Sequence, residues 1–284
     1  MSTPASAHYH LRLLAAVDYI ESHPERPLRL DDIARAAHLS KFHFHRVFKA
    51  VTGTTVGEYV ARVRLSRAAI LLRGTELPIR QLYARFGYRS AEQFSRAFAH
   101  RFGESPSKWR VAAVGTPGPA LSGFTGPRFE RLGEIRYARR RVEGDYDALP
   151  EVYAGLIAET AASMPSTTVA ALERQTIGIV RDDPGLTEVD QLRFDAGVCL
   201  PRGGARITSL HLSSLPRSTY AVYSYVGPYD ELRDAYDAAY RDLVDRAGWQ
   251  LREDFVVERY RTSPLTCTGP DFHTELCVPI VRLR

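Results

Sequence analysis

The stretch LSKFHFHRVFKAVTG, Leu39 to Gly53, decides the fold of the first part of the chain. Placed on an α-helix, it has apolar residues at i, i+3, i+4 and i+7, which share one face: Phe44, Val47, Phe48 and Val51. A second face has the same spacing but combines an aromatic ring with polar and basic groups: Phe42, His45, Arg46 and Lys49. The pattern predicts an amphipathic helix, with Ser40 as its N-terminal cap.

Three kinds of surface could contain these residues: a metal site, a core helix with isolated histidines, or a face that contacts an anion. His43 and His45 are two residues apart, roughly 200° around a helix, so they do not bind one ion together. A metal site would need further ligands from elsewhere in the chain. A solvated charged face does not explain Phe42, whereas an aromatic ring beside His and Arg is typical of a surface that reads DNA bases.

The segment RSAEQFSRAFAHRFG, Arg89 to Gly103, repeats this pattern without a gap. Five pairs are identical in the two copies: Ser40/Ser90, Phe44/Phe94, Arg46/Arg96, Phe48/Phe98 and Gly53/Gly103. Further upstream, the same alignment places Ala34–Arg35 over Ala84–Arg85. Each copy predicts a short helix with a small Ala, a turn of about four residues and a second helix that begins after a Ser, which is a helix-turn-helix.

The segment between the copies, Val56 to Gly74, predicts one long helix that ends at its Gly. At 1.5 Å per residue, its ~18 residues span roughly 27 Å, close to the ~34 Å of one DNA turn. One chain could therefore place two helices in successive major grooves without dimerising. The charge agrees, since residues 1–115 contain 18 Lys and Arg against 9 Asp and Glu, and the remainder contains 20 against 24. Only the first part is expected to contact a polyanion.

Composition predicts the domain boundary and the compartment. The segment TPGPALSGFTGP, Thr116 to Pro127, has nine Gly, Pro, Ser or Thr residues in twelve, which predicts a linker. No run of ~20 apolar residues predicts a transmembrane helix, and no apolar stretch follows the N-terminus as in a signal peptide. The cysteines Cys199, Cys267 and Cys277 are too few for a disulfide framework, so we expect buried, reduced side chains in the cytoplasm.

The residues from about Tyr9 to Arg110 resemble the DNA-binding domain of the AraC/XylS family of bacterial transcription regulators. The resemblance rests on LDDIARAAHLS, FHRVFK, TGTTVGEYV, RLSRAAILL and FGYRSAEQFSRAFAHRFGESPSKWR. It implies that the helices Lys41–Val51 and Ala91–Arg101 enter the major groove. Residues that would read bases follow from it position by position: Phe42, His45, Arg46, Glu92, Ser95 and Arg96. Residues expected to contact phosphates, or to remain solvated, are these: Lys41, Lys49, Arg89, Ser90 and Lys108.

The chemistry of these side chains suggests their targets. Arg46 and Arg96 suit guanine, because a guanidinium matches its O6 and N7, and Phe42 suits a thymine methyl group. Glu92 either accepts a hydrogen bond from cytosine N4 or stays in solvent.

From Arg128 onward the sequence contains a second duplication, built from strands and helices. The segments VEGDYDALPEVY (Val142 to Tyr153) and YVGPYDELRDAY (Tyr225 to Tyr236) match at a constant offset, each between a strand-like run and an amphipathic helix. Each half closes on a similar strand, Phe194 to Pro201 and Phe272 to Pro279. The repeated strand–helix–strand–strand unit predicts two small antiparallel sheets, with helices on one side and a concave seam between the halves.

The second part, about Phe129 to Arg284, resembles the GyrI-like effector-binding domain through RFDAGVCLP, GPYDELRDAY and TELCVPI. Its position behind an AraC-type domain resembles the Rob-like subfamily. The resemblance implies that a glutamate of the last strand, here Glu275, lies in a pocket and attracts cationic aromatic ligands. Our alignment gives Gly197 as its first-half equivalent, so any acid at the seam would be single. Further pocket candidates, for which core packing is the alternative, are these: Tyr220, Tyr225 and Trp249.

The sequence as a whole predicts an α+β protein. An all-α domain with two helix-turn-helix motifs (1–115) is followed by a linker (116–127) and by an α+β domain of two pseudo-symmetric repeats (128–284). We expect a cytoplasmic transcription regulator that binds promoter double-stranded DNA, RNA polymerase and a small lipophilic or cationic effector. It would act as a monomer or weak dimer, without a membrane partner, cofactor, metal ion or catalytic residue. The alternatives are a hydrolase that uses Glu275 as a general base, or a ligand-independent protein-interaction module.

Overall fold

The computed structural model describes residues 4–75, 77–114, 121–144, 148–164, 167–182, 187, 192–201, 210–246, 248–252, 254–265 and 269–282. The chain divides into two compact units, one of residues 1–72 and 76–112, the other of residues 73–75 and 113–284. Cys267 and part of the expected linker, residues 116–120, lie outside the described residues.

The described part of the first unit is entirely helical, as the sequence predicts. Its helices, in chain order, have these bounds: α1 Pro4–Ser22, α2 Leu30–Ala36, α3 Lys41–Thr52, α4 Val56–Gly74, α5 Ile79–Arg85, α6 Ala91–Phe102 and α7 Pro106–Val114. The helices α2 and α3 form the first helix-turn-helix, and α5 and α6 form the second. The long helix α4 connects them with the bounds expected from the sequence.

Two phenylalanines, four residues apart, anchor each of the helices α3 and α6. Phe44 and Phe48 of α3, and Phe94 and Phe98 of α6, are fully buried. Both helices end at a glycine with a left-handed backbone, Gly53 at φ 71° and Gly103 at φ 76°, a conformation that side chains other than glycine disfavour. The sequence prediction is wrong for Val51, which lies at the last turn of α3 and is 54% exposed.

The ungapped alignment fails upstream of α3 and α6, because the second turn is one residue longer. Leu39 N donates to Ala34 O in the first turn, and Tyr88 N donates to Tyr83 O in the second. These pairs differ by 49 positions, whereas α3 and α6 differ by 50. Ala34 is therefore equivalent to Tyr83 and not to Ala84, which is exposed. A single extra residue is easily accommodated in a turn, where no helical hydrogen-bond ladder fixes the spacing.

The second unit contains a sheet and three described helices. Its strands have these bounds: β1 Phe124–Leu132, β2 Ile135–Glu143, β3 Thr176–Val180, β4 Arg193–Cys199, β5 His211–Leu215, β6 Ser218–Val226, β7 Trp249–Leu251, β8 Val256–Tyr260 and β9 His273–Arg282. Its helices have these bounds: α8 Leu149–Ser163, α9 Val169–Glu173 and α10 Leu232–Asp245. Each repeat has the expected strand–helix–strand–strand order, β2–α8–β3–β4 and β6–α10–β8–β9.

The linker is shorter than the sequence suggests, since β1 begins at Phe124 and includes residues 124–127. A Gly/Pro-rich segment can join this strand because β1 lies at the edge of the sheet, where a β-bulge interrupts its pairing with β6 between Thr125 and Arg128.

The two repeats form one sheet, so the expectation of two small sheets is wrong. Among the described residues, nine antiparallel strands pair in the order β1-β6-β9-β8-β3-β4-β2-β5, with β7 beside β9. The halves join where β8 pairs with β3, from Ile177↔Arg259 to Val180↔Val256. Continuous pairing leaves no unpaired backbone at the seam, which separate sheets would have exposed. The order reads the same from both ends, as a pseudo-twofold axis between β3 and β8 requires.

The helices α8 and α10 pack on the same face of this sheet. Arg140 of β2 pairs with Glu159 of α8 at 2.6 Å, and Tyr236 of α10 donates to Glu258 of β8 at 2.6 Å. The strand register places Arg140 and Glu258 on one face, because Arg140 is opposite Ala196, Ala196 is opposite Gly178, and Gly178 is opposite Glu258. The prediction of helices on one side is confirmed.

Replacing a buried anchor should destabilise the protein far more than replacing an exposed ring in the same helix. We expect Phe48→Ala to lower the free energy of unfolding by about 3–5 kcal/mol, because the change leaves a cavity in the core. The matched change Phe42→Ala removes an 80% exposed ring and should cost less than ~0.5 kcal/mol. Urea unfolding followed by circular dichroism measures both, and similar losses would contradict the assigned faces of α3.

Candidate DNA interface and effector site

The helix α3 presents a continuous exposed face made of the residues that the sequence singled out. Phe42, His45, Arg46 and Lys49 are all exposed, while Phe44 and Phe48 on the opposite face are buried. The side chain of Lys41 lies 5.9 Å from the Phe42 ring centroid, and its ammonium group is 3.9 Å from Asp31. A basic, aromatic surface of this kind is available to a polyanion.

The helix α6 presents the same arrangement at equivalent positions. Glu92 and Arg96 are exposed, and Ser95 is half-buried between them. The pKa of Glu92 is lowered, first by a hydrogen bond from Ser90, then by its own backbone N–H, and further by the charge of Arg96. Glu92 is therefore ionised at neutral pH and can act only as a hydrogen-bond acceptor.

The two serine caps differ. Ser90 Oγ accepts from Gln93 N at 3.2 Å, and Gln93 Oε1 accepts from Arg89 N at 3.0 Å, so both side chains hold the first turn of α6. Ser40 occupies the same position before α3 but makes no capping hydrogen bond, contrary to the sequence prediction. Arg89 and Lys108, expected to contact phosphates, are both exposed. The Ser90 hydroxyl is engaged within the protein.

In the second unit, Glu275 is clamped by arginines. Its carboxylate lies 2.8 Å from Arg128, 2.9 Å from Arg259 and 2.7 Å from Arg261. Its side chain is 7% exposed. Burial raises the pKa of Glu275, but hydrogen bonds from Arg261 and Arg128 and the charge of Arg259 outweigh burial, so the pKa is lowered. A carboxylate with three cationic partners does not attract a further cation, and the role expected for Glu275 therefore needs revision.

The equivalence of Glu275 with Gly197 is wrong, because the register of the sheet makes Asp195 its counterpart. Asp195 lies opposite Arg141 and Ile179, and Glu275 lies opposite Ser224 and Arg259. These neighbours are related by the same offsets as the strands, 83 residues from β2 to β6 and 80 from β3 to β8. Sequence alignment missed the equivalence because the similar letters FDAGVCLP and FHTELCVP suggest an offset of 78.

Asp195 is clamped in the same way as Glu275. It is fully buried and accepts hydrogen bonds from Arg139 at 2.9 Å, from Arg181 at 2.8 Å and from Arg141. Burial raises its pKa, but the charges of Arg141, Arg181 and Arg139 dominate, and the pKa lies far below its usual range. Arg181 and Arg261 are 80 residues apart, so each half of the domain contains one acid held by an equivalent arginine.

The other effector candidates are dispersed. Tyr220 is buried on the sheet face opposite α8 and α10, in a core with Val222 and Cys277. Trp249 lies on β7 and stacks on Phe129 at 4.6 Å, opposite Arg282 near the far end of β9. Tyr225 lies on the helix-covered face, where its hydroxyl donates to Glu231 at 3.1 Å. The structure does not bring Tyr220 and Trp249 together with either of the other two candidates.

A different acid, Glu258, forms the site that these candidates were expected to form. It is 2% exposed and lies at the pseudo-twofold axis, opposite its own counterpart Gly178. Three tyrosine hydroxyls donate to its carboxylate: Tyr236 at 2.6 Å, Tyr260 at 2.6 Å and Tyr229 at 3.1 Å. Among the described residues, no Lys, Arg or His pairs with it. We call Glu258 with Tyr229, Tyr236 and Tyr260 the tyrosine cage.

The surroundings of the cage are aromatic and tightly packed. Tyr153 lies edge-on to Tyr260 at 5.7 Å and donates to Ile177 O at 2.8 Å. Gly178 makes room, since a Cβ there would lie 2.2 Å from the Phe194 ring and 2.6 Å from the Tyr260 hydroxyl. Tyr229, which is half-buried, is the cage member nearest to solvent.

The electrostatics of the cage are opposite to those of the arginine clamps. Burial raises the pKa of Glu258, and hydrogen bonds from Tyr236, Tyr260 and Tyr229 lower it only in part. Burial also raises the pKa of Tyr236 and Tyr260, so both remain neutral donors. The site therefore holds a carboxylate without a counter-charge, which favours a cationic ligand with aromatic or apolar groups.

Sequence reasoning passed over Glu258, although a signal was present. VVERY places an acid within a strand-like apolar run, the same argument that drew attention to Glu275. Strand periodicity then predicts that Glu258 and Arg259 point to opposite faces. Which of the two acids has cationic neighbours depends on strands distant in sequence.

The remaining described groups give no sign of redox or metal chemistry. Burial raises the pKa of the Cys199 thiol to about 11 and that of Cys277 to about 12, so both are unreactive at neutral pH. Within the described ranges, no three His, Cys, Asp or Glu side chains are arranged to hold a metal ion. Over the same ranges, no helix has the length and apolar character needed to cross a membrane.

Comparison with known families agrees with this division. A helix-turn-helix domain model matches residues 33–112, and a GyrI-like small molecule binding domain model matches residues 125–281. The second match covers more than half of the chain, which therefore belongs to the GyrI-like family. With the AraC-type helix-turn-helix domain in front, the chain has the architecture of a DNA-binding transcription regulator.

Particular relatives share this architecture in whole or in part. The chain is 27% identical to "Transcriptional regulator Rob" of Salmonella typhimurium over 93% of this chain and 96% of that protein. It is 39% identical to "Regulatory protein SoxS" of the same organism, over 33% of this chain and 88% of that one. A solved AraC-type regulator structure from Chromobacterium violaceum is 33% identical, with a TM-score of 0.37, over 39% of this chain and 99% of that one.

Glu258 and Glu275 should affect stability with opposite pH dependences. The pKa of Glu258 is raised from its ordinary 4.5, so the stability that it contributes is present below that value and is lost as the pH rises through its folded pKa. The pKa of Glu275 is lowered, so its contribution is present above 4.5 and is lost as the pH falls through its folded pKa.

Urea unfolding of the wild type, Glu258→Gln and Glu275→Gln between pH 4 and 8 measures this. The wild type should lose stability relative to Glu258→Gln as the pH rises, and should gain it relative to Glu275→Gln. Slopes of the same sign would show that the two carboxylates have similar environments.

Proposed function

We propose that this protein regulates transcription as a monomer that inserts α3 and α6 into two successive major grooves of promoter DNA. The observation that carries the proposal is the matched exposure of the two helices. Arg46 lies between the buried Phe44 and Phe48, and Arg96 lies between the buried Phe94 and Phe98. Both arginines are exposed at equivalent helical positions, as reading two grooves of one duplex requires.

The side chains of the two outer faces have separate roles in this proposal. Arg46 and Arg96 bind guanine O6 and N7, Phe42 contacts a thymine methyl group, and the ionised Glu92 accepts from cytosine N4. His45 and Ser95 also face base edges. Lys41, Lys49, Arg89 and Lys108 contact phosphates and fix the position of the protein on the duplex. Ser90 acts indirectly, by capping α6.

The domain boundaries and partners follow from the same proposal. Residues up to about 115 form the DNA-binding domain, and the effector domain begins at Phe124 with β1. Because the target is promoter DNA, the protein acts in the cytoplasm of a bacterial cell and affects the engagement of RNA polymerase.

For the second domain, we propose that Glu258 is the counter-charge for a lipophilic cation. Support comes from its burial, its lack of a described cationic partner and the aromatic rings around it. Tyr225, on the same sheet face, and Tyr229, at the solvent side, adjoin the path to it. In the present packing the cage is closed, so the ligand binds a conformation in which Tyr229 moves aside. An effector that binds one DNA-binding state better changes DNA affinity by the same factor.

Binding without chemistry is the simpler proposal for this domain. The relatives named above are transcriptional regulators. A glutamate with three tyrosines is nevertheless also the set that a hydrolase would use, so the effector experiment includes a check for product formation.

Substitutions on the reading faces should separate base contacts from phosphate contacts. We expect Arg46→Ala and Arg96→Ala each to lose about 1–3 kcal/mol on the specific site, and to lose preference at one base pair. Lys49→Ala should weaken specific and random DNA alike, and should lower the salt slope of log K by about 0.9. Fluorescence anisotropy on sites selected from genomic fragments measures these losses. Equal losses on random DNA for all three variants would contradict the assignment.

Replacing Glu258 should abolish effector binding, whereas replacing Glu275 should not. Tetraphenylphosphonium serves as the probe, with neutral triphenylphosphine oxide as the ligand control. We expect Glu258→Gln to weaken binding of the cation at least tenfold, about 1.4 kcal/mol, because it removes the counter-charge. Glu275→Gln should stay within about threefold of the wild type, and triphenylphosphine oxide should not distinguish the variants.

Isothermal titration at several pH values completes this test. Affinity of the wild type for tetraphenylphosphonium should rise with pH from about 4.5, as Glu258 ionises, and then level off. A larger loss in Glu275→Gln than in Glu258→Gln would return the site to the arginine-clamped acid. Conversion of the probe into product would favour the enzyme.

A further inference from the structure

We propose that a groove between the two helix-turn-helix units binds a small organic carboxylate with an apolar body. The groove has a volume of 620 Å³ and lies wholly within the first unit, in the size range of small-molecule sites. Its floor and walls are apolar, with Leu28, Ile33, Val56 and Val60 among them. Arg64 and Tyr88 face the same space and supply its polar end.

Arg64 is a cation held in a fixed orientation. Its Nε donates to Pro24 O at 2.9 Å, and its Nη2 donates to Arg26 O at 2.9 Å. The guanidinium lies against Gly87, where a Cβ would be 3.1 Å from Nη1. Nη1 itself has no acceptor among the described residues. A charge that is positioned in advance in this way loses little conformational freedom when it binds an anion.

Tyr88 adds a second donor that has no partner. Its hydroxyl is buried and forms no hydrogen bond within the described chain, and its ring packs edge-on to Phe94 at 5.3 Å. Burial raises the pKa of Tyr88, and the charge of Arg64 opposes this effect only in part. The phenol is therefore neutral at physiological pH and can donate. Unpartnered buried donors are rare in folded proteins and point to a missing acceptor.

The lining defines the chemistry of the ligand. It contains no Asp or Glu among the described residues, so a cation would find no counter-charge. A carboxylate can accept from Arg64 Nη1 and the Tyr88 hydroxyl, and such charge-assisted bonds are strong. The apolar walls would bury an aryl or alkyl body, which a phosphate of the DNA backbone lacks. These features together favour a free amphipathic acid.

The position of the groove connects it to DNA binding. His45 of α3 and Gln93 of α6 also line it, so both reading helices border the same space. A ligand there would alter the relative placement of the two helices and with it the affinity for a site of fixed spacing. The site is separate from the tyrosine cage, which has the opposite charge preference.

Octanoate is the probe, with 1-octanol as the uncharged control, and binding to the full-length protein is measured by isothermal titration. We expect octanoate to bind at least tenfold more tightly than octanol. Tyr88→Phe, which removes only the hydroxyl, should weaken octanoate about tenfold. Ala61→Asp adds a negative charge to the lining and should abolish binding, whereas Glu258→Gln should leave it unchanged. Saturating octanoate should change operator affinity at least threefold in the wild type and not in Ala61→Asp.

Several outcomes would overturn the proposal. These are the absence of octanoate binding at 10 mM, equal binding of octanol, or unchanged binding in both Tyr88→Phe and Ala61→Asp. If operator DNA competes with octanoate and Tyr88→Phe weakens operator binding without ligand, the groove holds a backbone phosphate instead. Loss of octanoate binding in Glu258→Gln would place the ligand in the other domain. Circular dichroism confirms that each variant is folded.

Discussion

Phe44 and Phe48 in α3, and Phe94 and Phe98 in α6, bury their rings completely and thereby fix the rotation of each helix about its axis. Once these rings are inside, the helical period places Arg46 and Arg96 outside, at the same phase relative to each core. Gly53 and Gly103 end both helices in the same left-handed conformation, so the two units are matched at both ends. Every proposed base contact depends on this anchoring.

The second domain uses a duplicated framework in a less symmetric way. Asp195 and Glu275 occupy equivalent positions, and each is neutralised by arginines on the sheet face opposite α8 and α10. On the helix-covered face, the equivalent positions have diverged to Gly178 and Glu258. The glycine leaves space for Tyr260 and Phe194, and the glutamate provides the charge, so one half makes room for the acid of the other. Divergence at the axis thus creates a single, asymmetric site in a nearly symmetric sheet.

The sequence predicts those features that depend on local periodicity. The buried and exposed faces of α3, the long α4, and the strand–helix–strand–strand order all follow from spacing within one element or between adjacent ones. Features that depend on pairing between distant segments were missed. The pairing of β3 with β8, which merges two sheets into one, has no local signature. The one-residue difference between the turns at Leu39 and Tyr88 was hidden by an alignment that favoured identical letters. Likewise, Glu258 and Glu275 look alike in sequence, and only their neighbours in the sheet, tyrosines for one and arginines for the other, distinguish them.

The central claim is that one chain reads two neighbouring major grooves through equivalent helices. Hydroxyl-radical footprinting of the purified protein on a selected site tests it most directly, because the cleavage pattern reports which face of the duplex is covered. The account predicts two protected patches on one face, about one helical turn apart, with protein at a stoichiometry of one chain per site. A single patch, or protection on opposite faces that requires two chains, would contradict it.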